Sequence, residues 1–330
     1  MYLTIPHNIS KKYLYQDIFR KHMRRKIVGQ GHNSKAVTLP ISWIRENKLS
    51  AGDELEVESQ GKSLILSAAK VTGPNKVVLD IKSKDMMFKR YLNSLYQFGY
   101  DEIEVRCEDE LPLNLIESEA KEMIGCEIVS HTGKSCIIKS MATELSSEFD
   151  VMLKRMFLII RMMFDEIVDE MQRKDCDKDK LQEIAGMEQI NNRLVYFCQR
   201  VLNKKGYKEP SKTTFMAIIL NELEQITDSL RDLSMLLSES RDMVSKDTVR
   251  ACAKLSELFR DLYGQFYSFD TKRVGKMKRK RISLYSDCYK LLGKSKGNAT
   301  DMLALHHILE GLGRIHHLNI GLVPMSLEGK

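Results

Sequence analysis

The 330-residue sequence predicts an α+β chain in three parts: an N-terminal module of short strands with one short helix, a small α/β connector, and a C-terminal all-α region of two three-helix bundles. Three observations carry this. Between Arg24 and Ser67 the apolar runs are short and punctuated by Gly29, Gly31, Asn33, Pro40, Gly52 and Gly61. Between residues 75 and 141 strand-like and helix-like runs alternate. From Glu144 onward apolar residues recur at the spacing of a helix, and strand patterns stop.

In the first part, the run Ile27 to Leu39 is broken by Gly29, Gly31 and Asn33, residues that tolerate positive φ. Two short strands joined by a tight turn are therefore expected. Pro40 closes the second strand and, with its fixed φ, opens a helix over 42–49 that turns Ile41, Ile44 and Leu49 towards a core. Gly52-Asp53 makes a turn. Leu55 and Val57 then alternate with Glu54, Glu56 and Glu58, as in a half-buried strand, and residues 63–66 return as its partner across Gln60-Gly61-Lys62.

This order of strand, glycine turn, strand ending in proline, short helix and acidic hairpin closely resembles the SpoVT/AbrB family of swapped-hairpin DNA-binding domains. The resemblance places such a domain at 24–70. It implies a homodimer in which two chains interleave hairpins into one small β-barrel, because a single copy is too short to bury a core of its own. Two-fold symmetry would then present two basic surfaces to double-stranded DNA. By position in the motif, the contact candidates are Arg24, Arg25 and Lys26 before the first strand, His32, Asn33 and Lys35 at the glycine turn, and Arg45 on the helix.

Charge points the same way without the resemblance. Met1 to Gly52 holds ten Lys or Arg against two acids, a net of +8, while the whole chain carries +7. The excess positive charge therefore reads as N-terminal, the footprint of a polyanion partner. Ordinary solvated charge is the alternative at any single position, such as Lys48.

Residues 1–23 form a basic leader, read equally as a short basic helix touching DNA or the partner subunit and as a disordered extension. Met23, just before the module, is an alternative start to Met1. Pro6, His7 and Lys11-Lys12 interrupt any signal-peptide core, and the most apolar windows, 156–164 and 215–220, are too short to span a membrane. Seven scattered cysteines without CxxC spacing read as reduced packing residues, and the expected location is the cytoplasm.

The connector, residues 75–141, reads as strand 76–81, helix 85–98, strand 101–106, helix 113–124, and strands 126–129 and 135–139, of ferredoxin-like size. It has no phosphate loop and no nucleophile arrangement, and a spacer or dimerisation role is its plainest job. The phrases 99–105 and 124–129 resemble the connecting module between SpoVT/AbrB-type and PhoU-type domains of archaeal phosphate-uptake regulators.

In the C-terminal region Phe149, Met152, Leu153, Met156, Phe157, Ile160, Met163, Phe164, Ile167 and Met171 make one wide apolar helix face. Helices are expected at about 180–203, 212–240, 245–269, 272–292 and 299–322, and two sets of three suggest an internal duplication over 144–322. The methionines read first as adaptable core packing and second as a partner surface.

Glu224 and Asp228, four apart, share a helix face and suit a hard or borderline cation, although solvated acids at this spacing are common. The E-x-I-x-D phrase on the third helix of a three-helix unit, with residues 188–197 before it, resembles the metal-binding pattern of PhoU-like proteins. That resemblance implies a divalent or ferric metal ion, with Glu188, Asn191 or Asn192 completing the site. In the second half Gly313 and His317 stand where the family places Glu and Asp, so that pattern has decayed. His306, Glu310 and His317 share a helical face suited to zinc, nickel or iron, or else are hydrogen-bonded histidines at a helix interface. The run Lys272 to Arg281 puts seven basic side chains in ten residues, by default a solvated face, otherwise a contact for DNA, an acidic partner or a membrane surface.

No Walker sequence, GxSxG, HExxH or paired cysteine and histidine is present, so no enzyme is expected. The resemblances imply a DNA-binding regulator of phosphate uptake with a PhoU-like sensory domain. Two other readings stay open: an adaptor that binds a phosphate transporter ATPase or a kinase, with the N-terminal module only dimerising it, and a metal-dependent hydrolase on the Glu224/Asp228 face.

Overall fold

The computed structural model describes residues 23–326 apart from 32–33, 61–62, 69–74, 83–86, 109–110, 112, 142–145, 241 and 296–297. The leader to residue 22, His32, Asn33, the 61–62 turn and the Gly73-Pro74 break lie outside the described residues. The chain divides into two units, 1–58 with 65–71, and 59–64 with 72–330.

The first unit begins with strands β1 (Val28–Gln30) and β2 (Ser34–Ala36), antiparallel, with Val28 opposite Ala36 and Gly29 opposite Lys35. Gly31 turns the chain at φ +76°, a conformation that a side chain would strain. The helix α1 (Ile41–Glu46) starts at Pro40 as expected but stops short of the expected Leu49. The Asn47 side chain donates to the Trp43 carbonyl at 2.9 Å, and Lys48 takes a left-handed φ of 54°, which ends the turn. Strands β3 (Leu55–Gln60) and β4 (Ser63–Ala68) form a second hairpin.

These strands remain two separate two-stranded sheets, so the β-barrel that the resemblance implies is not closed within one chain. The reason is visible in the burial pattern. Ile41, expected to face a core, and Val57, expected half-buried, are exposed, as are Ile27, Val28 and Val37, and only Leu49 of the helix segment is buried. One copy has no second layer to cover them.

In the second unit, β5 (Lys76–Ile81), β6 (Glu102–Cys107), β7 (Cys126–His131) and β8 (Ser135–Ser140) make one sheet in the order β5-β6-β8-β7. β5 and β6 run parallel, joined by α2 (Phe88–Phe98); the other pairs are antiparallel, and α3 (Leu113–Glu122) links β6 to β7. Leu92, Tyr96, Ile103, Val105, Ile116 and Ile138 fill the layer between helices and sheet.

Six long helices follow: α4 (Phe149–Gln172), α5 (Lys178–Lys205), α6 (Thr213–Glu239), α7 (Lys246–Tyr267), α8 (Thr271–Leu292) and α9 (Ala299–Ser326). Asp177, Ser245 and Asp270 cap α5, α7 and α8 by accepting from first-turn amides. Within the first three, every pair packs together, and the same holds within the last three. The sets meet through α4 on α7 and α6 on α9, equivalent helices in each pairing, while α5 and α8 lie outermost. One continuous apolar core runs through all six. Phe157 of α4 sits in its middle, with the rings of Phe259, Tyr263 and Phe266 of α7 at 5.1–5.8 Å. Met156 and Met163 are fully buried, whereas Met162 faces solvent.

Candidate functional site

The basic side chains singled out in the first unit share one property. Arg24, Arg25 and Lys26 lie in the extended segment before β1, Lys35 on β2 and Arg45 in the last turn of α1, and all are exposed. Among the described residues none of the five is held by an acid in an ion pair. The Arg25 guanidinium reaches only the Met23 thioether, at 3.8 Å. Gly29 has no side chain, and the Lys35 ammonium lies over it, 3.9 Å from where a β-carbon would stand. Exposed cations that no acid pairs are open to a phosphate.

A second constellation lies in the second unit. A cavity of about 1070 Å³ opens between α2 and α3 of the connector and α5 and α6 of the bundle. Lys89, Arg90 and Arg231 contribute positive charge to its wall, and Glu119, Glu122, Glu188, Glu224 and Asp228 negative charge. Glu224 and Asp228 are therefore brought together, as their spacing requires, and Glu188 and Asn192 join them. Asn191 turns away into the α5/α6 contact, where it donates to Thr227 at 2.9 Å.

Electrostatics in this wall are crowded. Burial, reinforced by the charges of Asp228 and Glu188, raises the Glu224 carboxyl to about 7. Burial also raises Glu188, against the pull of Arg231. Tyr196 is pushed up to about 12 by burial with Glu224, Glu188 and Asp228 adding, so its hydroxyl stays a donor. Arg231 answers part of this charge by donating to Glu188 at 3.0 Å and to Asp228 at 2.9 Å.

Of the residues expected as metal donors, His306 and His317 do not line this wall. His317 Nδ1 lies 3.3 Å from Glu222 across the α6/α9 contact, and Glu222 points about 200° around α6 from Glu224. His306 pairs instead with Glu310 at 3.9 Å. The Arg231 guanidinium occupies the position between Glu188 and Asp228 that a cation would need. Among the described residues no three His, Cys, Asp or Glu side chains are placed to hold a metal.

Sequence reasoning missed Arg231, Lys89 and Glu119. Arg231, three residues after Asp228, carried a readable signal, the i,i+3 ion-pair spacing. Lys89 and Glu119 carried none, because they reach the wall from another part of the chain.

The second unit also holds its connector firmly. Arg200 of α5, 6% exposed, donates to the carbonyls of Tyr96 and Tyr100 at 3.0 and 2.7 Å and to Asp101 at 2.7 Å. Its guanidinium also lies 5.1 Å from the Tyr96 ring centre.

Among the described residues no helix is long and apolar enough to cross a membrane, and all seven cysteines are free. No curated protein and no solved structure matches the chain. Residues 30–74 match one family, described as "Antidote-toxin recognition MazE, bacterial antitoxin", and that segment runs from the last residue of β1 through β4, where the Gly31 turn, the Pro40-led helix and the second hairpin were read.

Proposed function

We propose that this chain is a DNA-binding transcriptional regulator that works as a homodimer, with a helical region that receives a signal or a partner. The observation that carries the reading is the family match at 30–74, with unpaired basic side chains at Arg24, Arg25, Lys26, Lys35 and Arg45 in and beside it. Such groups neutralise phosphates and release counterions, so binding would weaken steeply with salt. The exposed Ile27, Val28, Val37 and Val57 support dimerisation, since a second chain would cover them. In this reading the chain is not an enzyme, and its place of action is the cytoplasm.

The finer reading, control of phosphate uptake, rests on the PhoU-like phrases at 188–197 and 224–228 and on the two three-helix sets. The cavity lined by Glu188, Glu224, Asp228 and Arg231 is the candidate effector site, and its mixed charges fit a polar ligand. An effector held by connector and bundle together would change DNA affinity only by binding two states of the chain unequally.

The test is binding of the purified protein to its own upstream DNA and to scrambled duplex across a salt series, with an Arg25→Ala/Lys26→Ala variant. Selective binding lost in the variant supports the regulator. No selectivity at any salt from a folded dimer would overturn it.

One observation favours an adaptor as the second reading. Val151, Leu158 and Met162 are exposed on one face of α4, an apolar strip that a partner protein such as a transporter ATPase would cover. DNA-independent capture of such an ATPase, lost on Leu158→Asp, would select this reading.

A further inference from the structure

The helix α8 carries eight Lys or Arg against one acid, Asp287, so a second concentration of positive charge exists far from the N-terminus. Its placement is specific. Met277, Leu284 and Cys288 face the core, and the opposite face is open to solvent. In the first three-helix set the equivalent outer helix, α5, is covered by α2 of the connector. Among the described residues of the second unit, only α7 and α9 pack against α8 to a comparable extent.

Lys272, Lys276, Arg279 and Lys290 fall within about 60° of one another on that face and run over roughly 27 Å of helix. All four are exposed, and among the described residues no acid pairs with them. Some charges elsewhere on α8 are compensated: Lys280 pairs with Asp261 at 2.6 Å, Arg273 with Asp270 at 3.9 Å, and Asp287 with Lys254 of α7 at 3.3 Å, while Lys278 and Arg281 pair with no acid among the described residues. The local field is felt by a neighbour, His316 of α9, held below its usual value by burial first and then by the charges of Arg281, His317 and Lys278.

We propose that this stripe is a second nucleic-acid surface, which binds the phosphates of duplex DNA without regard to sequence. Exposed hydroxyls lie among the cations: Ser283 and Ser286 fall on the same face. Serine hydroxyls, with Lys and Arg, are among the groups that supply phosphate contacts in protein–DNA complexes. A lipid surface fits less well, because an interfacial helix needs a free apolar face to insert, and that of α8 is buried in the core. The inference rests on the regulator reading, and extends its contact with DNA beyond the N-terminal module.

The test uses the full-length protein and a random-sequence duplex several helical turns long. A Lys272→Ala/Lys276→Ala/Arg279→Ala variant should lower the slope of log affinity against log salt by about 2 to 3. A control, Lys246→Ala/Arg250→Ala on α7, should leave the slope unchanged. Since all three α8 side chains are solvent-exposed, thermal melting should match the wild type. An unchanged slope in the α8 variant overturns the proposal, as does loss of retention on anionic phospholipid vesicles with DNA binding intact. Failure of the regulator reading looks different: the wild type would then show no preference for its own upstream DNA over scrambled duplex at any salt, whatever the α8 variant does.

Discussion

The Arg200 guanidinium meets the Asp101 carboxylate at 2.7 Å, joining the fifth helix to the loop that leads into β6. The same guanidinium donates to the Tyr100 carbonyl just past α2 and to the Tyr96 carbonyl, which also accepts from the Gly99 amide at 3.1 Å. Arg200→Met keeps much of the apolar stem but removes three hydrogen bonds and takes the guanidinium from the Tyr100 carbonyl. It should destabilise the second unit by about 2–4 kcal/mol, read as a lower urea midpoint and Tm.

Asp101 adds a pH dependence to that junction. Burial works against its ionisation, but the Lys204 hydrogen bond, the Asn75 amide and the charges of Lys204 and Arg200 outweigh this and hold the carboxyl below its usual range. A carboxylate lowered in the folded state stabilises above its unfolded value, near 4, and that contribution is lost as pH falls through the folded value. Asp101→Asn should therefore lower Tm at pH 7 and converge on the wild type as the pH falls below about 4.

Gly99 closes α2 at φ +113°, and a β-carbon there would stand 2.7 Å from Lys204 Cγ. Both the backbone and the space argue against a side chain. Gly99→Ala should cost about 1–3 kcal/mol, while Gly133→Ala, with nothing within 4 Å, should leave Tm nearly unchanged.

The helices and strands of the second unit were legible because their apolar spacing is local: the 3.6-residue period of α4 and the alternation in β6 need no distant partner. The Glu224/Asp228 face was legible for the same reason. What closed the cavity was not, because Lys89 and Glu119 come from about a hundred or more residues away in sequence. The expected face of His306, Glu310 and His317 drew on helical spacing alone, and the structure pairs His306 with Glu310 but turns His317 to Glu222 of α6. The sequence reading also set all the excess charge at the N-terminus, while α8 holds a comparable excess that acids elsewhere in the chain cancel in the total.

The exposed apolar side chains of the first unit predict its assembly. Ile27 is 74% exposed and Val57 61%, values that a stable isolated module would not keep. Ile27→Glu with Val57→Glu should shift the protein from dimer to monomer in sedimentation at micromolar concentration. DNA affinity should fall with it, since a dimer presents two basic surfaces. A variant that stays dimeric would place the dimer contact elsewhere in the chain.

Glu224 gives the sharpest pH test of the cavity. Its carboxyl is raised to about 7, mainly by burial and then by Asp228 and Glu188, against about 4.3 in an unfolded chain. Below pH 4 both states are protonated and the site costs nothing. As pH rises towards 7 the unfolded chain ionises first, so stability is lost through this window, and above 7 the folded carboxylate bears the full cost. Glu224→Gln should match the wild type near pH 4 and exceed it at pH 8 by about 1–3 kcal/mol, read from urea midpoints. The opposite sign, with Gln less stable at pH 8, would mean that a cation in solution holds the Glu224 carboxylate. Divalent metal should then raise the Tm of the wild type and leave the Gln variant unmoved.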